Sequence, residues 1–166
     1  ASPFRWIIDP LDGTTNFAHG MPLFSVSIAV ERDGAVIAGV VFAPVLSDLN
    51  LAVRGHGTTR NGAPIRVSKT ERLADALLVT GFPYNRAEIV GWLTKTLGNH
   101  LVRSQGILRL GSAALDLSLV AAGHLDGFYE LNLHPWDVAA GALLVEEAGG
   151  RMSNFTGGPF TLEGRR

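Results

Sequence analysis

The chain has 166 residues, no cysteine, and 14 Lys and Arg against 15 Asp and Glu. That balance gives no field for non-specific attachment to nucleic acid or to a membrane surface, and the lack of thiols excludes disulfides and thiolate metal sites. With 46% hydrophobic residues the chain can bury a sizeable core, as one domain or a large part of one. No apolar run reaches the length of a membrane span and no signal peptide is visible, so the expectation is a soluble, cytoplasmic protein.

The run Phe4-Arg5-Trp6-Ile7-Ile8-Asp9 has strand character and begins within a few residues of Ala1, with no initiator Met. It is read as a core strand of a longer protein. From Phe24 the side chains alternate, with Phe24, Val26, Ile28 and Val30 on one side and Ser25, Ser27, Ala29 and Glu31 on the other. Period-two patterning of this kind indicates a half-buried strand. Arg32-Asp33-Gly34 signals a turn, Val36, Ala38, Val40 and Phe42 a second strand that Pro44 ends, and Leu49–Val53 a third. Gly55-His56-Gly57 opens a turn, and Asn61-Gly62 is a hairpin dipeptide. Strands joined so closely are expected to form an antiparallel meander.

Further on, Ala76–Thr80 is read as a strand, Arg86–Leu97 as a helix and Leu101–Ser104 as a strand. Ser112–Ala121 reads as a helix with Ser112 as N-cap and Gly123 beyond its end. Leu125–Glu130 reads as a strand, and Asp137–Ala148 as a helix with Asp137 at its start and Gly149-Gly150 after it. The fold class is therefore α/β of the α+β type, an antiparallel sheet followed by a mixed α/β region. Residues 1–70 form the sheet region and residues 71–166 the α/β region, with a soft boundary near Lys69–Ala74 inside one structural unit. Arg165-Arg166 is too short a basic cluster to be more than a solvated tail.

The most informative stretch is Asp9-Pro10-Leu11-Asp12-Gly13-Thr14-Thr15-Asn16-Phe17. An apolar strand runs into two carboxylates three apart, followed by small hydroxyl-bearing residues at a helix start. Hard divalent cations take carboxylate and carbonyl oxygens, and the free N–H groups of a helix start suit phosphate. The same residues also read as ordinary turn chemistry, with each Asp capping its own backbone. His134-Pro135-Trp136-Asp137 is the second candidate: taken alone Asp137 reads first as an N-cap, and a carboxylate at a helix start can also ligate a metal while facing a cleft. The five histidines are scattered and none sits in a metal-binding spacing; His134, next to Asp137, is read as structural.

These segments resemble the inositol monophosphatase family. Asp9–Phe17 is similar to its first signature, and Trp136-Asp137-Val138-Ala139-Ala140-Gly141 with Glu146-Glu147-Ala148-Gly149-Gly150 to its second. Between them, Gly57-Thr58-Thr59-Arg60-Asn61-Gly62 resembles the family's Gly-x-x-x-Asn-Gly hairpin, and Gly111-Ser112-Ala113-Ala114 a substrate-contacting helix start. The resemblance implies a layered α/β/α/β/α sugar-phosphatase fold, here without its N-terminal helices, and two or three magnesium ions. Asp9 would bridge two ions, the Leu11 carbonyl would bind the first, and Asp12 and Asp137 would hold the second. Gly13, Thr14 and Thr15 would grip phosphate, and the Thr14 hydroxyl would orient the attacking water. Glu130, seven residues before Asp137, would contact substrate hydroxyls, with Gly111, Ser112 and Ala113 lining the same pocket.

In this family one acidic residue upstream of the first signature completes the first metal site, and another pairs with the water-orienting threonine. Neither lies within this sequence, so an incomplete first metal site and an exposed apolar sheet face are expected. The implied reaction is magnesium-dependent hydrolysis of a small phosphate monoester, first of all inositol monophosphate to inositol and phosphate, in a homodimer. Histidinol phosphate, fructose bisphosphate, a nucleotide 3′-phosphate or NADP are alternative substrates. A reading of another class is a non-catalytic regulatory binding module.

Overall fold

The computed structural model describes residues 2–83 and 85–162. The Arg165-Arg166 cluster lies outside the described residues. The N-terminal half is one antiparallel sheet of six strands in sequence order: β1 (Phe4–Asp12), β2 (Ser25–Arg32), β3 (Ala35–Ala43), β4 (Asp48–Val53), β5 (Gly57–Arg60) and β6 (Ala63–Pro64). A five-residue helix, α1 (Thr14–Ala18), lies between β1 and β2. The expected meander is present, and its turns have the required chemistry: Asp33 and Gly34, then Asn61 and Gly62, all have positive φ.

Register sorts the sheet into two faces. One face carries the row Ile7–Ala29–Gly39–Ala52–Thr58, and the other the rows Trp6–Val30–Ala38–Val53 and Ile8–Ile28–Val40–Leu51. The first face is buried. The C-terminal helix α4 (Pro135–Glu147) lies across it, with Gly39 so close to Ala140 that a Cβ on residue 39 would stand 2.9 Å from the Ala140 Cα. The Thr58 hydroxyl, buried in the same row, donates to the Leu144 carbonyl at 2.8 Å. Helix α3 (Ala113–Ala121) packs beside α4, and Leu115, Leu117, Leu143 and Leu144 are fully buried between the layers.

The second sheet has three parallel strands in the order β8 (Gly106–Leu108), β7 (Leu77–Thr80), β9 (Gly127–Tyr129), linked by α2 (Val90–Leu101) and α3. Three expectations are corrected here. The helix expected over Arg86–Leu97 starts later, because residues 85–88 form turns in which Glu88 N donates to Asn85 O and Ile89 N to Arg86 O. The strand expected at Leu101–Ser104 is instead the end of this helix and the turn after it. Thr94 and His100 side chains bond back to carbonyls one turn earlier and help carry α2 through Gly98. The strand forms at Ile107 and Leu108, whose apolar side chains pair with Leu78 and Val79. Thirdly, α4 begins at Pro135, with His134 as its N-cap, so Asp137 is the third residue of the helix rather than its cap. Among the described residues no helix is long and apolar enough to cross a membrane.

Candidate functional site

Two residues three apart on a regular strand face opposite sides of the sheet. Asp9 and Asp12 would be separated in this way, but the pairing slips between them: Asp9 faces Ser27 and Asp12 faces Ser25. Three steps on β1 against two on β2 make a bulge at Pro10-Leu11, where proline supplies no ladder N–H. The bulge turns Asp12 to the same side as Asp9. Gly13 then adopts φ 85° as the N-cap of α1, where a Cβ would meet the Leu23 carbonyl at 2.9 Å, so the sharp exit from the strand requires glycine.

Each carboxylate is fastened from a different element. Asp9 Oδ1 accepts from Leu11 N at 3.0 Å. Asp12 is 9% exposed, and its Oδ2 accepts from the Ser112 hydroxyl at 2.6 Å and from Ala114 N at 2.8 Å, at the start of α3. Asp137 Oδ2 accepts from His134 N at 2.6 Å. The His134 ring stacks on Trp136 with centroids 4.5 Å apart, which fixes the entry to α4. Carboxylate oxygens of Asp9, Asp12 and Asp137 all lie within 4.8 Å of one another. The Thr14 hydroxyl donates to the Leu11 carbonyl at 2.9 Å, within the same turn.

Like charges so close resist ionisation. Burial first, and then Asp9 and Asp137, raise the Asp12 pKa to about 6, against the Ser112 and Ala114 hydrogen bonds. Burial also raises Asp137, with Asp9 adding to the rise and the His134 amide opposing it. A partly buried set of oxygen donors with excess negative charge, Asp12 buried and Asp9 and Asp137 half-buried, fits a hard divalent cation.

The cluster stands on the wall of a cleft of about 720 Å³, lined also by Gly13, Thr14, Thr15, Gly111, Ala113 and Glu130. Of the residues expected at the site, only Ser112 is set back from the cleft. It is 1% exposed, and its hydroxyl lies between Asp12, Ser25 and Leu115 N, so it supports Asp12 from behind. Burial lifts Glu130 to about 7, with Arg109 opposing and Asp137 and Asp12 adding to the rise.

Several residues escaped the sequence reading. Asn16, inside the motif, donates from Nδ2 to the Leu23 and Leu110 carbonyls, each at 2.7 Å, and ties α1 to the loop before α3. Arg86 and Arg109 bring positive charge to the cleft, and the Arg109 guanidinium lies over the Phe82 ring, 6.0 Å from its centroid. Asp116, in the first turn of α3, is 1% exposed. An Asp in a helix otherwise apolar but for Ser118 was the one available signal; the arginines had none.

The sequence profile of the Inositol monophosphatase family matches residues 1–166. An inositol-1-monophosphatase of Mesorhizobium japonicum is 48% identical over 162 residues, 98% of this chain and 61% of that protein. A Nus factor SuhB of Pasteurella multocida is 45% identical over 157 residues, 95% of this chain and 59% of that protein. The solved structure of inositol monophosphatase from Anabaena (Nostoc) sp. PCC 7120 matches with a TM-score of 0.95 at 43% identity, covering 99% of this chain and 65% of that one. The chain thus spans about three fifths of the length of these curated relatives, 61% and 59%. Signature order, sheet topology and carboxylate cluster agree with a match along the full sequence: the chain belongs to the inositol monophosphatase family.

Proposed function

We propose that this chain carries the phosphate-handling part of a magnesium-dependent phosphomonoesterase acting on a small polyol phosphate, inositol monophosphate first. The convergence of Asp9, Asp12 and Asp137 within 4.8 Å on the wall of an open cleft carries this reading. The family is metal-dependent, and the donor set suits magnesium. Asp9, the Leu11 carbonyl, Asp12 and Asp137 would hold two or three ions. Bound there, such ions neutralise the ester's charge and lower the pKa of water.

The chain's own residues supply the rest. Backbone N–H groups of Gly13, Thr14 and Thr15, at the start of α1, hold the phosphate oxygens. The Thr14 hydroxyl donates its hydrogen bond to Leu11 O. Its lone pairs are therefore left to accept from the attacking water and orient it. Ser112 and Ala114 N keep Asp12 aimed at the cluster. Glu130 accepts from substrate hydroxyls, and Gly111 and Ala113 shape the wall beside it. Histidinol phosphate, fructose bisphosphate, a nucleotide 3′-phosphate and NADP are the alternative substrates. A homodimer, a cytoplasmic location and action of residues 1–70 and 71–166 as one unit belong to the same proposal.

The name of the Pasteurella relative, a Nus factor, supports a second reading, a regulatory binding role. One assay separates the two: phosphate release from inositol 1-phosphate, with and without magnesium, by the chain alone and in a form extended to the length of its relatives. The catalytic reading expects magnesium-dependent turnover that Asp12→Asn reduces by at least about a hundredfold, more than loss of an outer-shell partner costs. If neither form releases phosphate from any small ester, the catalytic reading falls. A partner that still binds the Asp12→Asn chain would then put the regulatory reading first.

A further inference from the structure

Gly81 follows β7 and Glu130 follows β9, and these strands run side by side in parallel with Thr80 against Tyr129. The register therefore sets positions 81 and 130 next to each other at the strand ends, where both line the cleft with Asp12 and Asp137. Gly81 is buried. A Cβ built on it would fall inside the van der Waals envelope of the Glu130 carboxylate, with Cδ and both oxygens as its nearest neighbours. Gly81 is absent from the positive-φ glycines, so backbone conformation does not demand glycine here. What the position supplies is room, and the room is filled by the carboxylate.

We propose that Gly81 is a positioning residue that seats the Glu130 carboxylate against the end of β7, and that residue 81 thereby sets the preference for phosphate esters whose leaving group carries hydroxyls. The inference rests on the reading of Glu130 as the acceptor for substrate hydroxyls. The atoms in conflict with a side chain at 81 are the tip of a flexible side chain and not backbone. A methyl group there therefore moves the carboxylate and leaves the strands in place. Arg109, whose positive charge opposes the rise in the Glu130 pKa, lies with its guanidinium over the ring of Phe82, the residue after Gly81. Carboxylate and guanidinium are thus both anchored at residues 81–82, and displacing the first separates it from the second. An ester with no hydroxyl on its leaving group makes no use of this arrangement.

The test is a cycle of Gly81→Ala, Glu130→Ala and the double variant, read in two ways. Thermal midpoints need no turnover: Gly81→Ala should lower the midpoint in the parent and not in the Glu130→Ala background, where the conflicting atoms are gone. In the form that turns over, Gly81→Ala should cut the ratio of kcat/KM for inositol 1-phosphate to that for phenyl phosphate by about tenfold, and have no effect on the ratio once Glu130 is Ala. Additive midpoints, or losses equal for the two esters, overturn the proposal. Coupled midpoints with no turnover on any ester by any form uphold the seating of Glu130 and overturn its role in specificity together with the catalytic reading.

Discussion

Asp116 lies in the first turn of α3. Its side chain is 1% exposed and its Oδ1 accepts no hydrogen bond among the described residues. Burial pushes its pKa up to about 8, with Glu130 and then Asp12 adding to the rise and Arg109 opposing it. A carboxyl whose folded pKa lies above its ordinary 3.8 holds its proton more tightly in the folded state. Its contribution to stability is therefore full below pH 3.8 and is lost as pH rises through about 8. Thermal melts of the metal-free chain should show the midpoint falling across that window. Asp116→Asn, which cannot ionise, should flatten the fall and raise the midpoint above the parent's at pH 8. Equal pH slopes for parent and variant would show that Asp116 ionises as an ordinary carboxyl. Asp12 contrasts with it: similarly buried, it has both a hydroxyl and an amide on one oxygen and is raised only to about 6.

At the scale of elements, α4 both closes the core and carries Asp137, so its seat on the sheet governs the site. That seat is Gly39. A methyl group there would meet the Ala140 Cα at 2.9 Å and its carbonyl at 3.1 Å, backbone atoms that yield only if the helix moves. Gly39→Ala should cost about 1–3 kcal/mol, the range for overpacking. It should also weaken magnesium binding in calorimetry, although Asp9, Asp12 and Asp137 are all unchanged. Lost stability with unaltered affinity would mean that the helix tilts about its first turn and spares Asp137. Elements that rest on local pattern were legible in advance. Alternation gave β2, β3 and β4, and the Asn61-Gly62 and Asp33-Gly34 dipeptides gave the turns. Less legible was α2, whose start depends on turn hydrogen bonds at 85–88 and whose polar last turn carries no periodic signal. The cluster itself was named through a family resemblance. Spacing alone would have put Asp9 and Asp12 on opposite faces, because the bulge that reunites them shows only in the pairing with β2. Gly81 and Arg109 were invisible for the same reason: their roles arise from contacts made across the parallel sheet and its helices.

On the scale of the whole molecule, the six-stranded sheet is apolar on both faces. An antiparallel sheet with one face in water alternates apolar and polar residues. Here the face under α4 carries Ile7, Ala29 and Ala52, while the opposite face carries Trp6, Ile8, Val30, Val40, Leu51 and Val53. Trp6 is 65% exposed and Ile8 50%, and Phe42, Leu49, Leu51 and Val53 are exposed with them. Contiguous exposed apolar patches above a few hundred Å² mark surfaces that bind something. The expected outcome for the chain alone is therefore concentration-dependent association in sedimentation velocity, accompanied by binding of an apolar dye. Trp6→Lys and Leu51→Lys place charge on this face without touching the core under α4. Each should reduce association and dye binding and shift folding stability by no more than about 0.5 kcal/mol, as surface substitutions do. If association persists unchanged in both variants, the contact lies elsewhere on the molecule. If the parent stays monomeric and binds no dye, the face is stable in water as it stands, and a homodimer of this family member must be built on another surface.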